Sequence, residues 1–196
     1  PERVERAKPY EDDITRFCVG GFNFPLEPGE GPTLIRAFNV LRQYEVEEVI
    51  PSWQQMCAPL ADDGLLIEGT SSPYGKIWTA NLLRKHDNNV LYEGFLFSTN
   101  FKAGFSPAIF QPYLTKNFIH EIGTGSPIDR FMEDWKQACV QTIGMKTWSL
   151  RQWFSASAQV LAEKGYDVSL KKTFLKHGFL LWKRKCPSRP DKSEFP

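Results

Sequence analysis

A strand, helix, strand pattern between residues 32 and 69 constrains the fold of this 196-residue chain more than any other feature. Apolar residues in the stretch 45–60 recur at three- and four-residue steps, which predicts one apolar stripe along a helix. Gly64 follows that stretch and can adopt the positive φ that ends a helix. The apolar runs at 34–35 and 65–67 are short and continuous, as in strands that are buried on both faces. The segment therefore predicts an α/β fold with a parallel sheet. The stripe consists of Val46, Val49, Ile50, Trp53, Met56, Cys57 and Leu60.

The stretch 36–42, Arg-Ala-Phe-Asn-Val-Leu-Arg, carries a resemblance to a known family. The chain resembles the carboxyl-terminal two-thirds of a class I S-adenosylmethionine-dependent methyltransferase, and it is most similar to a bacterial group with this string. The likeness covers most of the chain. Residues 1–10 resemble the helix start after the family's second strand, 14–18 its third strand, 20–23 the loop beside the adenine, and 162–168 with 174–183 its closing antiparallel hairpin.

The resemblance implies a Rossmann-like methyltransferase sheet that is N-terminally truncated, because the family's first two strands and its glycine-rich turn would precede Pro1. In the family's strand order those two strands separate the third strand from the fourth. The fourth strand, residues 33–37, is then left with an unpaired apolar edge, and such edges promote association. Three arrangements stay open: residues 14–19 pair with the fourth strand, two copies form a homodimer through the edge, or the natural protein is longer.

One α/β domain is expected over residues 1–185, followed by a flexible tail at 186–196. The segment 74–150 is rich in aromatic residues, and we expect it to form a helical insertion or lid before the final β-hairpin. The patterns within and after this segment predict a helix at 77–84, a β-rich stretch at 90–98, helices that start at Ser106 and Ser126, each followed by proline, and a helix at 148–161.

The resemblance also implies S-adenosylmethionine as cofactor and places its contacts at the ends of two strands. Phe22 would lie on the adenine face, and Asn23 would hydrogen-bond the adenine edge. The backbone of Ala37 and Phe38 would pass the methionine portion. Asn39 would either contact the ligand or cap the following helix, and the sequence leaves both open. The full set of cofactor-binding candidates is Gly21, Phe22, Asn23, Arg36, Ala37, Phe38 and Asn39.

Arg36 and Glu68 end neighbouring predicted strands and are candidates for a shared role. An arginine at the end of an apolar strand needs either a carboxylate partner or an anionic group of a ligand. Glu68 is a candidate for that partner or for a base on the substrate side. Tyr74 lies in the turn-rich stretch 69–75, where open α/β sheets place ligands, and is a second substrate-side candidate.

Other reaction classes find little support in the sequence. No Gly-x-Ser-x-Gly elbow is present, and His86, His120 and His177 have no metal-ligand spacing, so we expect no metal site. The four cysteines are far apart, which is typical of a reducing, cytoplasmic location. The formal net charge of +1 makes a nucleic-acid partner unlikely, and no apolar run approaches the length of a membrane span, so we expect no membrane partner.

Two function classes remain. The first is S-adenosylmethionine-dependent methyl transfer to a small-molecule acceptor, impaired in the truncated chain. The aromatic-rich insertion would then form an apolar acceptor pocket. The second is a non-catalytic, methyltransferase-like remnant that acts as a binding or association module. Upstream residues that restore the glycine-rich turn would favour the enzyme, and a natural start near Pro1 would favour the remnant.

Overall fold

Five strands form one mixed sheet in a computed structural model that describes residues 2–22, 26, 29, 31–87 and 89–183. The sheet order follows the chain order, β1-β2-β3-β4-β5. The first pair is parallel and the three others are antiparallel. The strands are β1 (Leu34–Phe38), β2 (Leu65–Ser71), β3 (Ile77–His86), β4 (Asn89–Thr99) and β5 (Phe179–Trp182).

Among the described residues, helices lie before β1, between β1 and β2, and between β4 and β5. The α-helices are α1 (Glu2–Ala7), α2 (Val49–Cys57), α3 (Lys116–Ile119), α4 (Pro127–Gln141), α5 (Leu150–Glu163) and α6 (Lys172–Lys176). Short 3-10 helices span Lys8–Tyr10, Leu41–Gln43, Val46–Glu48, Pro107–Tyr113 and Ile143–Thr147. None of the helices in the described ranges is both long and apolar enough to cross a membrane.

The β1-α2-β2 unit confirms the predicted strand, helix, strand pattern and its parallel pairing. A capping box between Glu45 and Glu48 starts the 3-10 turn that leads into α2. The apolar stripe of α2 then packs on one face of β1 and β2, because residues three and four apart share a helix face. These residues form the first core: Ile35, Ala37, Leu41, Val49, Trp53, Met56, Cys57, Leu60, Leu66 and Leu83.

A second core, dense in aromatic rings, holds β3, β4 and β5 against α4 and α5. Trp135 of α4 is fully buried, and its ring stacks on Phe110 at 5.4 Å between centroids. The helix α4 begins at Pro127, directly after the predicted start at Ser126, and α5 begins two residues later than the predicted 148. Ser126 accepts a hydrogen bond from the Asp129 backbone N–H, and Ser149 accepts one from the Gln152 backbone N–H. The buried aromatic members of this core are Phe95, Phe97, Phe101, Phe105, Phe110, Phe118, Phe131, Trp135, Trp153, Phe154 and Trp182.

The sheet differs from the sequence-based expectation in β3, where a helix was predicted at 77–84. That prediction is wrong, because β3 pairs antiparallel with β2 on one side and with β4 on the other. Residues 79–83 are all buried, so the alternation that marks a half-exposed strand is hidden. Pairing on both sides overrides the helix preference of its Ala and Leu residues. The expected β-rich stretch at 90–98 is confirmed as part of β4.

The predicted third strand at 14–18 does not form. The segment holds only an isolated bridge between Asp12 and Thr15, and Ile14 is 94% exposed. Within the described residues β1 pairs with β2 alone, so the expected pairing of 14–19 with this strand is wrong. At the other end, the closing hairpin is reduced to β5 and a single bridge from Val168 to Trp182. The predicted tail at 186–196 lies outside the described residues.

Candidate functional site

The carboxyl ends of β1 and β2 are joined by side-chain hydrogen bonds. The Ser71 backbone N–H donates to Asn39 Oδ1 at 2.9 Å, and Asn39 Nδ2 donates to Ser71 Oγ at 3.2 Å. Asn39 has a φ of 59°, a left-handed conformation that asparagine tolerates better than most residues. Its backbone N–H donates to Gly69 O at 2.8 Å. Asn39 thus joins the two strand ends and does not cap the following 3-10 helix, where no side-chain cap is present.

Phe38 lies beside this junction on the sheet face opposite α2. Its strand partner is Gly69, and a Cβ on Gly69 would come within 2.9 Å of Phe38 Cζ. The glycine therefore gives the Phe38 ring room to lie over β2. On the same face the Phe38 ring meets Trp78 edge-on at 5.4 Å, and Trp78 contacts Phe179 at 5.8 Å. The result is a row of three partly exposed rings that runs from β1 to β5.

Arg36 is exposed, and its guanidinium lies 3.9 Å from the centroid of the Phe38 ring. Successive side chains in a strand point to opposite faces, so Arg36 and Phe38 share one face. Glu68 pairs in register with Ala37 and faces the helix layer. The expected ion pair between Arg36 and Glu68 is therefore not formed. Arg36 instead makes a cation–π contact, which leaves its N–H groups available to an anionic group.

Glu68 is the centre of a buried polar network. Its Oε2 accepts hydrogen bonds from Asn81 Nδ2 at 2.8 Å and from Trp53 Nε1 at 3.4 Å. Asn81 Oδ1 accepts from Tyr92 OH at 2.9 Å, and Asn81 Nδ2 also donates to Asn117 Oδ1 at 3.1 Å. The network connects β2, β3 and β4 with α2 and α3. It lies where the first and second cores meet.

Burial raises the pKa of Glu68 to about 7, and the hydrogen bonds from Asn81 and Trp53 oppose this shift. The carboxyl is only 2% exposed. It thus titrates near neutrality without direct access to solvent. A base on the substrate side would need contact with a ligand, so this position favours a structural role for the carboxyl.

The remaining sequence-predicted site residues are dispersed. The Phe22 ring contacts Tyr44 at 5.5 Å and packs against the first core, whereas Gly21 is exposed. Asn23 lies outside the described residues. Ala37 is buried beneath α2, so a ligand can reach only its backbone. Tyr74 is 86% exposed in the β2–β3 turn, with Lys76 Nζ 5.8 Å from its ring.

These residues fit S-adenosylmethionine in part. Phe38 supplies an aromatic surface and Arg36 a cation that suits a carboxylate. A ribose is ordinarily held by a carboxylate, and the only acidic residue in β1 or β2 is Glu68, which is buried on the opposite face. The two strand ends therefore offer contacts for the methionine portion or a ring, but not for the ribose hydroxyls.

The sequence placed Gly69 and Ser71 in the turn-rich stretch 69–75 without giving them a role, and it missed Trp78. Ser71 ends the second of two parallel strands and Asn39 follows the first, which was a signal that the two could meet. The ring row had no sequence signal, because Trp78 fell in the segment predicted as a helix. The Glu68 network was equally hidden, since Asn81 and Asn117 are 36 residues apart.

One cluster of metal-ligand atoms occurs in the described part of the chain. Carboxylate oxygens of Asp62 and Asp63 and a ring nitrogen of His86 lie within 4.8 Å of one another, and all three residues are exposed. A hydrogen bond to Asp63 raises the pKa of His86 above its ordinary value, and Asp87 adds to this shift. Ion pairing between His86 and the aspartates accounts for this arrangement.

Comparison of the chain with protein-family models, with curated proteins and with solved structures finds no significant match. The candidate function consequently depends on the geometry of the site and on the resemblance carried by residues 36–42.

Proposed function

We propose that this chain takes part in S-adenosylmethionine-dependent methyl transfer to a small-molecule acceptor, at the carboxyl ends of β1 and β2. The observation that carries the proposal is the parallel β1-α2-β2 unit, whose two strand ends are joined by Asn39 and Ser71. Open α/β sheets bind ligands outside the carboxyl ends of parallel strands. The step from this geometry to methyl transfer is an analogy at the level of the fold, supported by the resemblance of residues 36–42.

Each residue of the proposed site has a separate role. Phe38 presents a ring to the ligand, and Arg36 binds its carboxylate. The backbone of 37–38 lines the methionine portion, while Asn39 holds the two strand ends in place. The bound cofactor would supply an electrophilic methyl group, and the protein would contribute mainly by holding the donor and acceptor in line. Phe22 and Asn23 keep the adenine contacts that the resemblance implies, and the ribose hydroxyls have no assigned partner among the described residues.

The proposal includes a Rossmann-like, truncated sheet and a cytoplasmic location. The cysteines of the described residues, Cys18, Cys57 and Cys139, are all free thiols, as expected in a reducing compartment.

Calorimetric titration with S-adenosylhomocysteine, the product form of the cofactor, tests the proposal. We expect a dissociation constant on the order of micromolar, weakened about tenfold in Phe38→Ala and in Arg36→Gln. Leu91→Ala, an exposed apolar position on β4, is the matched control and should bind as the parent does. Absence of binding to the folded chain would overturn the proposal.

A second candidate, an association module, is favoured by the free edge of β1. Leu65 N–H donates to Thr33 O, and Asn39 N–H donates to Gly69 O. Backbone groups alternate in direction along a strand, so those of Leu34, Arg36 and Phe38 point away from β2. Such an edge can pair with a second copy of the chain.

Light scattering on Leu34→Pro tests this candidate. Proline removes an N–H that points away from β2, so the substitution leaves the β1–β2 hydrogen bonds in place and blocks edge pairing. A dimer of the parent chain that becomes a monomer in Leu34→Pro but not in Leu34→Thr would support association. A parent chain that is monomeric at all concentrations would exclude it.

A further inference from the structure

The second core carries an exposed apolar surface on the segment 140–148, at the end of α4 and in the 3-10 helix that follows. Val140 is 72% exposed, Ile143 52%, Met145 40% and Trp148 76%. Four large apolar side chains within nine residues are unusual for an exposed segment, because isolated exposed apolar residues are common but contiguous ones mark interaction sites. We call these four residues the apolar surface.

A groove of about 300 Å³ adjoins the apolar surface. Val140 and Ile143 belong to both, and the ring of Trp153 forms another wall of the groove. Cys139 also lines the groove, where burial raises the pKa of its thiol to about 11 and keeps it neutral. A groove with apolar walls has few hydrogen-bonding groups that could orient a polar metabolite. It can accept a hydrocarbon segment.

Two lysine side chains lie beside the groove that adjoins the apolar surface. Residues 135–162 contain Lys136, Lys146 and Arg151 and no aspartate or glutamate. Lys146 Nζ lies 5.1 Å from the Trp153 ring centroid, and Lys136 pairs with Glu133 at 2.5 Å while its side chain lines the groove. The charge near the groove thus complements an anionic partner.

We propose that the apolar surface docks on an anionic lipid bilayer. Trp148, Ile143 and Met145 would enter the interfacial region, Lys146 would lie among the anionic head groups, and the groove would take part of an acyl chain. Tryptophan beside lysine and arginine is typical of side chains at a membrane interface. Peripheral contact needs no spanning helix, so it is compatible with the lack of one in the described residues.

A lipid surface fits these observations better than a protein partner. The exposed side chains come from a helix end and a single 3-10 helix, Ile143–Thr147, which together offer no free strand edge to a peptide. A bilayer, by contrast, requires only protruding apolar side chains with cations around them. The docking surface is formed by the second core and uses no residue of the β1–β2 site.

Co-sedimentation with vesicles tests the proposal on the full chain. We expect binding to phosphatidylcholine vesicles that contain phosphatidylserine, weak binding to phosphatidylcholine alone, and loss of binding at high salt. Trp148→Ser and Ile143→Ser should each lower the partition coefficient about tenfold, and Lys146→Gln about fivefold. Tyr10→Ser is the matched control, since Tyr10 is 76% exposed, as Trp148 is, but lies beside α1.

Three results would overturn the proposal. The first is equal binding of the parent chain to both vesicle types or to neither. The second is vesicle binding that Trp148→Ser and Ile143→Ser leave unchanged while circular dichroism shows that both variants are folded. The third is a dimer in solution that Trp148→Ser converts to a monomer, which would assign the surface to a second copy of the chain.

Discussion

The two cores of this protein meet in one sheet but are built differently. The first core covers a parallel strand pair with one short helix, and its only tryptophan is Trp53. The second core packs antiparallel strands under two long helices, and rings contact rings throughout, as in the stacking of Phe131 on Trp182 at 4.2 Å. The first region combines a strand edge that is unpaired within the described residues with the Asn39–Ser71 junction, whereas the second is an aromatic core with the apolar surface at its rim. In the proposed function the first region binds the ligand and the second supports it.

Removal of the central ring of the second core should have the largest effect. Trp135 is fully buried, contacts several rings, and donates from Nε1 to Ser157 Oγ at 3.0 Å. We expect Trp135→Ala to lower the free energy of unfolding by about 4 kcal/mol, because large cavities in a core relax only in part. Chemical denaturation measures this change. Trp148→Ala, at an exposed position, is the control and should change stability by less than about 0.5 kcal/mol.

The free energy of unfolding should depend on pH through Glu68, which lies where the two cores meet. Its pKa is about 7 in the folded chain against an ordinary value of 4.5, so the folded state binds the proton more tightly. The tighter binding of this proton stabilises the folded state. That contribution to the free energy of unfolding is fully present below pH 4.5 and is lost as the pH rises through 7. The upper limit of the loss is about 3 kcal/mol.

Denaturation between pH 4.5 and pH 8 should therefore show a decrease that Glu68→Gln removes. His86 has a raised pKa and gives a decrease of the same sign above its ordinary value. The comparison is best made in a His86→Asn background, where the raised pKa of His86 no longer contributes to the pH dependence. A pH dependence that is the same in Glu68→Gln and in its parent would contradict the assignment.

The close packing around Gly69 in β2 should be sensitive to the addition of a single methyl group. A Cβ on Gly69 would lie 2.9 Å from both Phe38 Cζ and Ala80 Cβ. We expect Gly69→Ala to cost about 2 kcal/mol, because an overpacked position forces its neighbours to move. Thermal or chemical unfolding measures this cost. Gly144→Ala is the control, since nothing lies within 4 Å of its Cβ position and its φ is not positive. The Thr79 carbonyl oxygen is also too close to the Cβ position of Gly69. Equal effects of the two substitutions would therefore mean that the close packing around Gly69 is not formed.

Loss of the hydrogen bonds between Asn39 and Ser71 should lower the free energy of unfolding by less than the substitutions above. Asn39→Ala removes both hydrogen bonds to Ser71 and places alanine at a φ of 59°. We expect a loss of about 1.5 kcal/mol in the free energy of unfolding. Asn39→Gly restores the backbone freedom but not the hydrogen bonds, so denaturation of the two variants separates the two causes. An Asn39→Ala chain as stable as the parent would show that the junction is not formed.

Local sequence patterns were sufficient to predict those helices and strands that bury one face. The stripe of α2 and the start of α4 at Ser126 follow from residue spacing and from a side chain that bonds its own backbone. The parallel pairing of β1 with β2 followed from the short apolar strands on either side of α2.

Long-range pairing determined the features that the sequence did not reveal. β3 is buried on both faces and contains Ala and Leu residues that also suit a helix, so only its neighbours β2 and β4 establish it as a strand. The Glu68 network and the contact of Phe38 with Trp78 join residues that are far apart in the chain. The sequence named Arg36, Phe38 and Asn39 as candidate site residues, but it could not show that Arg36 and Glu68 lie on opposite faces of the sheet.

Hydrogen exchange read by mass spectrometry, with and without S-adenosylhomocysteine, tests the central claim that the first region binds the ligand and the second supports it. We expect the ligand to slow exchange in peptides that cover 34–39 and 65–72 and to leave the α4 peptide 131–141 unchanged. No protection at 34–39 and 65–72 at saturating ligand, or protection confined to 131–141, would contradict the claim.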